Sequence, residues 1–195
     1  NNNPEGKMAK IKSVEDLLAE QAVRKAVTCY SRGADRCDID ILKSAFHHDA
    51  EVKYGSYDGP YEVFCNNVVT GHTAMNYTTH TVVNEYFDIN AASGKGVGEI
   101  YVLAFLSLSQ AGDVMEVDDY KDTKSDGGHE YLVAGRYVDK YECRDGDWRI
   151  SLRQYIIDWS RTSDYTGHDP NKLFEGLIYR GTQNKDDISY SILND

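Results

Sequence analysis

The run Gly135-Arg136-Tyr137-Val138-Asp139-Lys140-Tyr141-Glu142-Cys143-Arg144-Asp145-Gly146-Asp147-Trp148-Arg149-Ile150-Ser151-Leu152-Arg153 reads as two strands folded about one tight turn. Asp145-Gly146 is a two-residue hairpin signal, and aromatic and β-branched residues stand on both sides of it. The flanking runs extend from His129 to Arg144 and from Trp148 to Trp159. Long strands joined by so short a turn must lie antiparallel.

Upstream the same texture continues. Thr81 to Ile89 and Val97 to Ser109 are strand-like and are separated by a Ser93-Gly94 turn signal, which extends the hairpin to an antiparallel meander. The run from Val97 to Ser109 is apolar on both faces, with Tyr101, Leu103 and Phe105 on one and Ile100, Val102, Ala104 and Leu106 on the other. Both faces then need cover, one of them from another subunit, so a homo-oligomer (dimer or trimer) is expected.

Before His80 the pattern is helical. Ser13 followed by Asp16 resembles a capping box, and Leu18, Ala22, Ala26 and Tyr30 form an apolar stripe, which predicts a helix from Ser13 to about Ser31, broken at Gly33. Asp38 caps a short second helix with Ile39, Leu42 and Phe46 on one face. A short strand over Glu51–Tyr57 follows, and Pro60 opens a third helix that carries Phe64 and Val68 and stops at Gly71. Helices first and strands afterwards is an α+β order. The expected architecture is a cone, with the N-terminal helices packed on a strongly curved antiparallel sheet that encloses a pocket.

Residues 1–12 read as a disordered N-terminus or an expression scar, with Met8 a natural start. Residues 13–160 form the cone domain. Residues 161–195, polar but dotted with Tyr165, Phe174, Tyr179 and Tyr190, are an extension that wraps the domain or lids the pocket. The acidic, glycine-rich stretch around Asp118 to Gly128 reads as a mobile loop.

Charge narrows the partners. With 21 Lys and Arg against 32 Asp and Glu, the net charge of −11 repels nucleic acid and anionic membrane. No apolar run approaches the roughly 20 residues of a membrane helix. Cys29, Cys37, Cys65 and Cys143 lack metal or disulfide spacing and read as free thiols of a cytoplasmic protein. Ser31, Ser107 and Ser109 lack a nucleophile elbow, and no glycine-rich phosphate loop follows a strand, so triad hydrolase and nucleotide readings fall away. His47, His48 and Asp49 are adjacent but point apart along the chain, which argues against a metal centre and for a loop before the first strand.

Three further pieces, taken in order, carry a family resemblance: Tyr30-Ser31-Arg32-Gly33-Ala34-Asp35-Arg36, Phe46-His47-His48-Asp49-Ala50 and His80-Thr81-Val82-Val83-Asn84. With the Gly135–Arg153 hairpin they cover about residues 14 to 160, and the chain resembles the SnoaL-like branch of the nuclear-transport-factor-2-like superfamily. That superfamily includes scytalone dehydratase, bile-acid 7α-dehydratase, ketosteroid isomerase, polyketide cyclases, diarylpropane formaldehyde lyases and noncatalytic dioxygenase β subunits. The resemblance implies a cofactor-independent lyase that dehydrates a hydroxylated aromatic or polycyclic molecule, or releases formaldehyde from a lignin-derived diarylpropane. Other classes left open are a noncatalytic ligand-binding or assembly subunit and a ketone isomerase or cyclase with Asp35 as base.

Tyr30, Asp35 and His80 are similar to the acid/base set of the bile-acid dehydratase. Imidazole takes and returns protons near neutral pH, so His80 is the expected acid/base. Asp35 would fix its tautomer, and the Tyr30 hydroxyl would donate to a departing or charged oxygen. The dehydratases carry a further acid or histidine on the strand that here contains Ala104, so the match breaks at that position. Asn84, Tyr101, Arg136 or His129 are the candidates to replace it. Tyr54, Asn84, Tyr101, Arg136 and His129 are the expected substrate contacts, with Arg136 and His129 on opposite faces of their strand because an odd separation divides them. Fifteen tyrosines suit a wall that stacks on aromatic rings while hydrogen-bonding their oxygens.

Overall fold

A computed structural model describes residues 12–108, 128–165, 167 and 171–193. Apart from Lys12 and Gly128, the expected N-terminal tail and acidic loop lie outside the described residues.

The Ser13 capping box forms as read. The Asp16 amide donates to Ser13 Oγ at 3.1 Å and the Ser13 amide to Asp16 Oδ2 at 3.3 Å, opening α1 (Val14–Asp35). Its buried stripe is Ala19, Val23, Ala26, Val27, Tyr30 and Ala34, whereas Leu18 is 67% exposed. A strict four-residue step drifts by about 40° per turn around a helix of 3.6 residues per turn, so Leu18 and Tyr30 cannot share one face.

Gly33 does not break the helix. A Cβ there would lie 2.4 Å from the Leu42 backbone nitrogen and 2.8 Å from its Cβ. Glycine therefore admits α2 (Ile39–Ser44) against the last turn of α1, which runs on to Asp35. Asp38 caps α2 through the amides of Asp40 and Ile41.

The first strand, β1 (Phe46–Tyr54), starts earlier than its alternation suggests. Phe46 leaves the face of α2 to pair with Ile150, and β1 runs parallel to β6 (Asp147–Asp164). His47 and His48 lie in this strand rather than in a loop. His47 is buried with Nε2 2.9 Å from the Glu142 carbonyl, and His48 is exposed. After Gly55, β2 (Tyr57–Pro60) folds back on β1, and α3 (Tyr61–Thr73) continues two residues past Gly71. Then come β3 (Tyr77–Asn90), β4 (Lys95–Leu108) and β5 (His129–Arg144). The curved sheet has the order β2-β1-β6-β5-β4-β3, antiparallel except at β1–β6.

Register shifts at Val82/Glu85, Ala134/Gly135 and Lys140/Tyr141 bend the long strands, as bulges do. They let the inner face curve around α1 and α3. The two faces of β4 are as divided as expected: Ile100, Val102 and Ala104 are buried, while Tyr101 and Phe105 are 41% and 42% exposed on the outer side. Beside them on that side stand Val138 and Trp159.

The core closes around a charge. Arg153 of β6 and Asp139 of β5 are opposite one another and almost wholly buried, joined by Nε–Oδ1 at 2.9 Å and Nη2–Oδ2 at 2.7 Å. Tyr141 donates to Asp139 Oδ2 at 2.9 Å. The guanidinium lies 4.1 Å from the Tyr30 ring centre and 3.9 Å from that of Tyr137. Asp139→Asn is expected to destabilise the protein by roughly 3–5 kcal/mol, because it strands a buried cation. Chemical denaturation would measure it, and a change below about 1 kcal/mol would contradict this account of the core.

The C-terminal segment docks beside α1 and α2. The Tyr190 hydroxyl donates to Asp38 Oδ2 at 2.8 Å, and the Arg32 guanidinium lies 4.7 Å from the Tyr190 ring centre. Asp187 accepts from the Ser189 hydroxyl and the Thr182 and Ser189 amides, with Arg36 at 3.6 Å. The Ser189 hydroxyl and then the Thr182 amide bring the Asp187 carboxyl down to about 2, against an opposing effect of burial that is larger than the help from either the Ser189 amide or Arg36. A carboxyl depressed in the folded state stabilises docking fully above about pH 4 and loses that contribution as pH falls through about 2. Asp187→Asn should therefore speed proteolytic cleavage within residues 171–193 at neutral pH, and should narrow the difference in cleavage rate between neutral pH and pH 2–3 by an acid-active protease. Equal cleavage of both proteins would refute the role of Asp187 as the anchor.

Candidate active site

Asp35 is the last residue of α1 and His80 the fourth of β3. Because Gly33 lets the helix continue, the Asp35 carboxylate reaches β3. Its Oδ1 lies 2.6 Å from His80 Nδ1 and accepts from Thr78 Oγ1 at 3.1 Å, and its Oδ2 accepts from the His80 amide at 2.8 Å. The two side chains are only 6% and 14% exposed. A carboxylate offers acceptors alone, which places the proton on Nδ1 and leaves the lone pair on Nε2. Among the described residues Nε2 has no hydrogen-bond partner.

Tyr30 stands edge-on to His80, ring centres 6.5 Å apart at 81°, and edge-on to Tyr137 at 5.2 Å. It makes this ring contact without a hydrogen bond to the imidazole. Burial pushes the Tyr30 phenol up to about 12, with the Arg153 charge pulling the other way. At neutral pH it is a donor that keeps its proton.

His72, in the last turn of α3, stacks on His80 with ring centres 5.4 Å apart at 25°. Its Nδ1 lies 3.0 Å from the Ala34 carbonyl. Burial, reinforced by His80, lowers its imidazole to about 4, so the ring is neutral. The Gln183 amide of the C-terminal segment sits against the carbonyls of His72, Met75 and Asn76.

Aromatic and apolar groups continue along this inner side. Tyr54 stacks on Tyr155 at 4.1 Å and 5°, and Tyr155 tilts against Tyr137 at 5.7 Å. Gly135 permits this, since a Cβ there would stand 2.4 Å from Tyr155 Oη. Ala104 is directly across the ladder from His80. The position where the resemblance calls for another acid therefore presents only a methyl group.

The remaining expected contacts are dispersed. Tyr101 and Arg136 lie on the outer face, the guanidinium 5.9 Å from the Tyr101 ring centre and bonded to Glu99 and Asp158. Asn84 is exposed at the irregularity of β3. His129 is buried at the far end of β5, edge-on to Tyr131 and 3.9 Å from Asp164. The odd separation of His129 and Arg136 does put them on opposite faces.

Sequence reasoning did not single out His72, Thr78, Tyr137, Arg153 or Tyr155. For Tyr137, Asp139 and Tyr141 a signal was present: they alternate with Arg136, Val138 and Lys140, and the pairing from Asp145-Gly146 carries Arg153 to Asp139. His72 carried no such mark.

The SnoaL-like domain family is matched over residues 15–154. Among solved structures, a candidate scytalone dehydratase from Novosphingobium aromaticivorans shares 19% identity and a TM-score of 0.58, with 77% of this chain and 90% of that one covered. The hexachlorocyclohexane dehydrochlorinase LinA-type3 from Novosphingobium barchaimii shares 22% and 0.59, covering 78% and 94%. A candidate aromatic ring hydroxylase from Novosphingobium aromaticivorans shares 17% and 0.58, covering 80% and 97%. Identities this low establish the fold alone. No curated protein matches the sequence. The match across residues 15–154, on a fold with helices cradled by a curved sheet, makes this chain a member of the SnoaL-like domain family of the nuclear-transport-factor-2-like superfamily.

Proposed function

We propose that the protein is a cofactor-independent lyase acting on a hydroxylated aromatic or polycyclic small molecule. The observation that carries this reading is the His80–Asp35 pair, with Nδ1 held at 2.6 Å and Nε2 unpartnered among the described residues. Such an imidazole is primed to take a proton and return it, and the carboxylate favours the imidazolium formed in between. In a dehydration Nε2 takes the proton beside the departing hydroxyl, the C–H electron pair forms the new double bond, and the C–O pair leaves with oxygen. Water is complete once that oxygen gains the proton from the imidazolium, while the neutral Tyr30 phenol keeps its own.

A phenolic diarylpropane extends the same chemistry. Loss of a benzylic hydroxyl as water gives a quinone methide. Nε2 then removes the hydroxyl proton of the neighbouring hydroxymethyl group, its C–C bond breaks to release formaldehyde, that electron pair becomes the new C=C bond, and the pair displaced from the quinone methide makes a phenolate that takes its proton from the imidazolium. The stacked tyrosines on the inner side suit an aromatic substrate. Neighbouring folds that bear the names scytalone dehydratase and hexachlorocyclohexane dehydrochlorinase are consistent with elimination.

Asp35 itself is a poor carbon base, because both its oxygens already accept hydrogen bonds from His80 and Thr78. This disfavours the isomerase reading with Asp35 at the reacting carbon. A noncatalytic assembly role leaves the buried His80–Asp35 pair without a purpose.

Incubation without added cofactor with benzylic-alcohol dimers, hydroxysteroids and hydroxynaphthalenones, followed by mass spectrometry, tests the proposal. Loss of water or formaldehyde is expected, reduced at least about a hundredfold in His80→Ala. Turnover that survives His80→Ala undiminished, or no turnover across the panel, would overturn it.

A further inference from the structure

One side chain outside the proposed acid/base set touches His80 and the residue before Asp35. His72 approaches from α3, a different element from those that carry Asp35 and His80. Its ring covers a face of the His80 ring, 5.4 Å between centres at 25°. Its Nδ1 meets the carbonyl of Ala34, the residue before Asp35, at 3.0 Å. A carbonyl only accepts, so His72 Nδ1 carries its proton and donates it to the end of α1.

That bond adds to what already holds the helix end, since the Ala34 carbonyl also accepts from the Cys37 amide at 3.3 Å. The last carbonyls of a helix have no partner within it, and the last turn of α1 must hold still for Asp35 to keep a 2.6 Å contact with β3. Stacking answers the other half. An imidazole bonded at one nitrogen alone can still tilt about that bond, and a flat neutral ring against its face removes this freedom.

We infer that His72 is a positioning residue, a neutral imidazole plate that fixes the plane of His80 while its N–H fixes the helix end that presents Asp35. The titratable groups that bear on it are His80 from β3 and Asp35 from α1. Burial is the main reason that its ring is uncharged at neutral pH, so it stacks on His80 without opposing the imidazolium that forms there. His72 does not itself exchange protons with substrate. It sets the direction of His80 Nε2, and small misplacements of a catalytic group are costly in rate.

The inference rests on the acid/base reading of His80, but its test does not need turnover. The proton between His80 Nδ1 and Asp35 can be followed by nitrogen-15-edited NMR in the full chain, with thermal midpoints recorded for each variant. His72→Phe retains the plate and loses the donor; His72→Asn retains a donor near Nδ1 and loses the plate. The expected result is a Nδ1 proton still visible in His72→Phe, exchanging somewhat faster than in the unsubstituted chain because the helix-end bond is lost, and one that exchanges with water at least about tenfold faster than that in His72→Asn, since local order protects such protons. On a substrate from the panel, kcat should fall at least about tenfold in His72→Asn, with KM changed less than about threefold.

A Nδ1 proton equally protected in both variants, or lost in His72→Phe and kept in His72→Asn, would overturn the plate and leave His72 a helix cap. If the NMR differences appear but no panel compound turns over, the positioning role stands and the lyase reading falls.

Discussion

A guanidinium sealed inside the domain constrains much of what surrounds it. Arg153 lies over the rings of both Tyr30 and Tyr137, is held bidentately by Asp139, and is wholly removed from water. Desolvating an ion pair costs several kcal/mol per ion, and only near-ideal geometry and additional contacts offset it. Here two hydrogen bonds, the Tyr141 hydroxyl and two aromatic faces supply them. The contacts tie three elements to β6: Asp139 and Tyr137 belong to β5, Tyr30 to α1, and Phe46, its ring centre 5.7 Å from the guanidinium, to β1. The rotation of α1 about its axis is thereby set by Tyr30, and Asp35 lies five residues further along the same helix. Tyr30, which meets the buried charge, and Asp35 are separated by little more than one helical turn.

The inner side combines this fixed charge with groups that are kept neutral. Burial drives the phenols of Tyr54, Tyr137 and Tyr141 well upward, so each remains a hydrogen-bond donor or a flat apolar surface. Both Asp35 oxygens accept hydrogen bonds, and His80 Nε2, on the ring that Tyr30 meets edge-on, has no hydrogen-bond partner among the described residues. Electrostatics thus divides the work: Arg153 is held by Asp139 and the tyrosine rings, and the proposed chemistry falls to the imidazole. The C-terminal segment reaches the same region through Gln183, at the α3–β3 connection that separates His72 from Thr78.

Much of this architecture is legible in sequence where local rules dominate. The Ser13 box, the Asp38 cap and the Asp145-Gly146 hairpin depend on neighbouring residues, and they occur where those residues predict. Tyr30, Asp35 and His80 were found through ordered motifs, and their juxtaposition follows from the helix-on-sheet layout. Long-range packing is where reading fails. Gly33 looks like a breaker until Leu42 is seen against it, and Phe46 looks helical until β6 offers it a parallel partner. Tyr101 and Arg136 are placed by strand parity and curvature on the outer face, information that spacing along one strand cannot supply. His72 depends on a meeting of α3, α1 and β3, for which no local pattern exists.

The central claim is that His80 Nε2 is the proton-handling atom facing the ligand. The most direct measurement is the nitrogen-15 chemical shift of that atom during titration with ligands from the aromatic panel at neutral pH. The account predicts a deprotonated Nε2 in the free protein, a protonated Nδ1, and a shift at Nε2 that saturates with ligand binding and disappears in Asp35→Asn through loss of the tautomer. A proton on Nε2 with Nδ1 bare, or a ligand that saturates without moving the Nε2 signal, would contradict it.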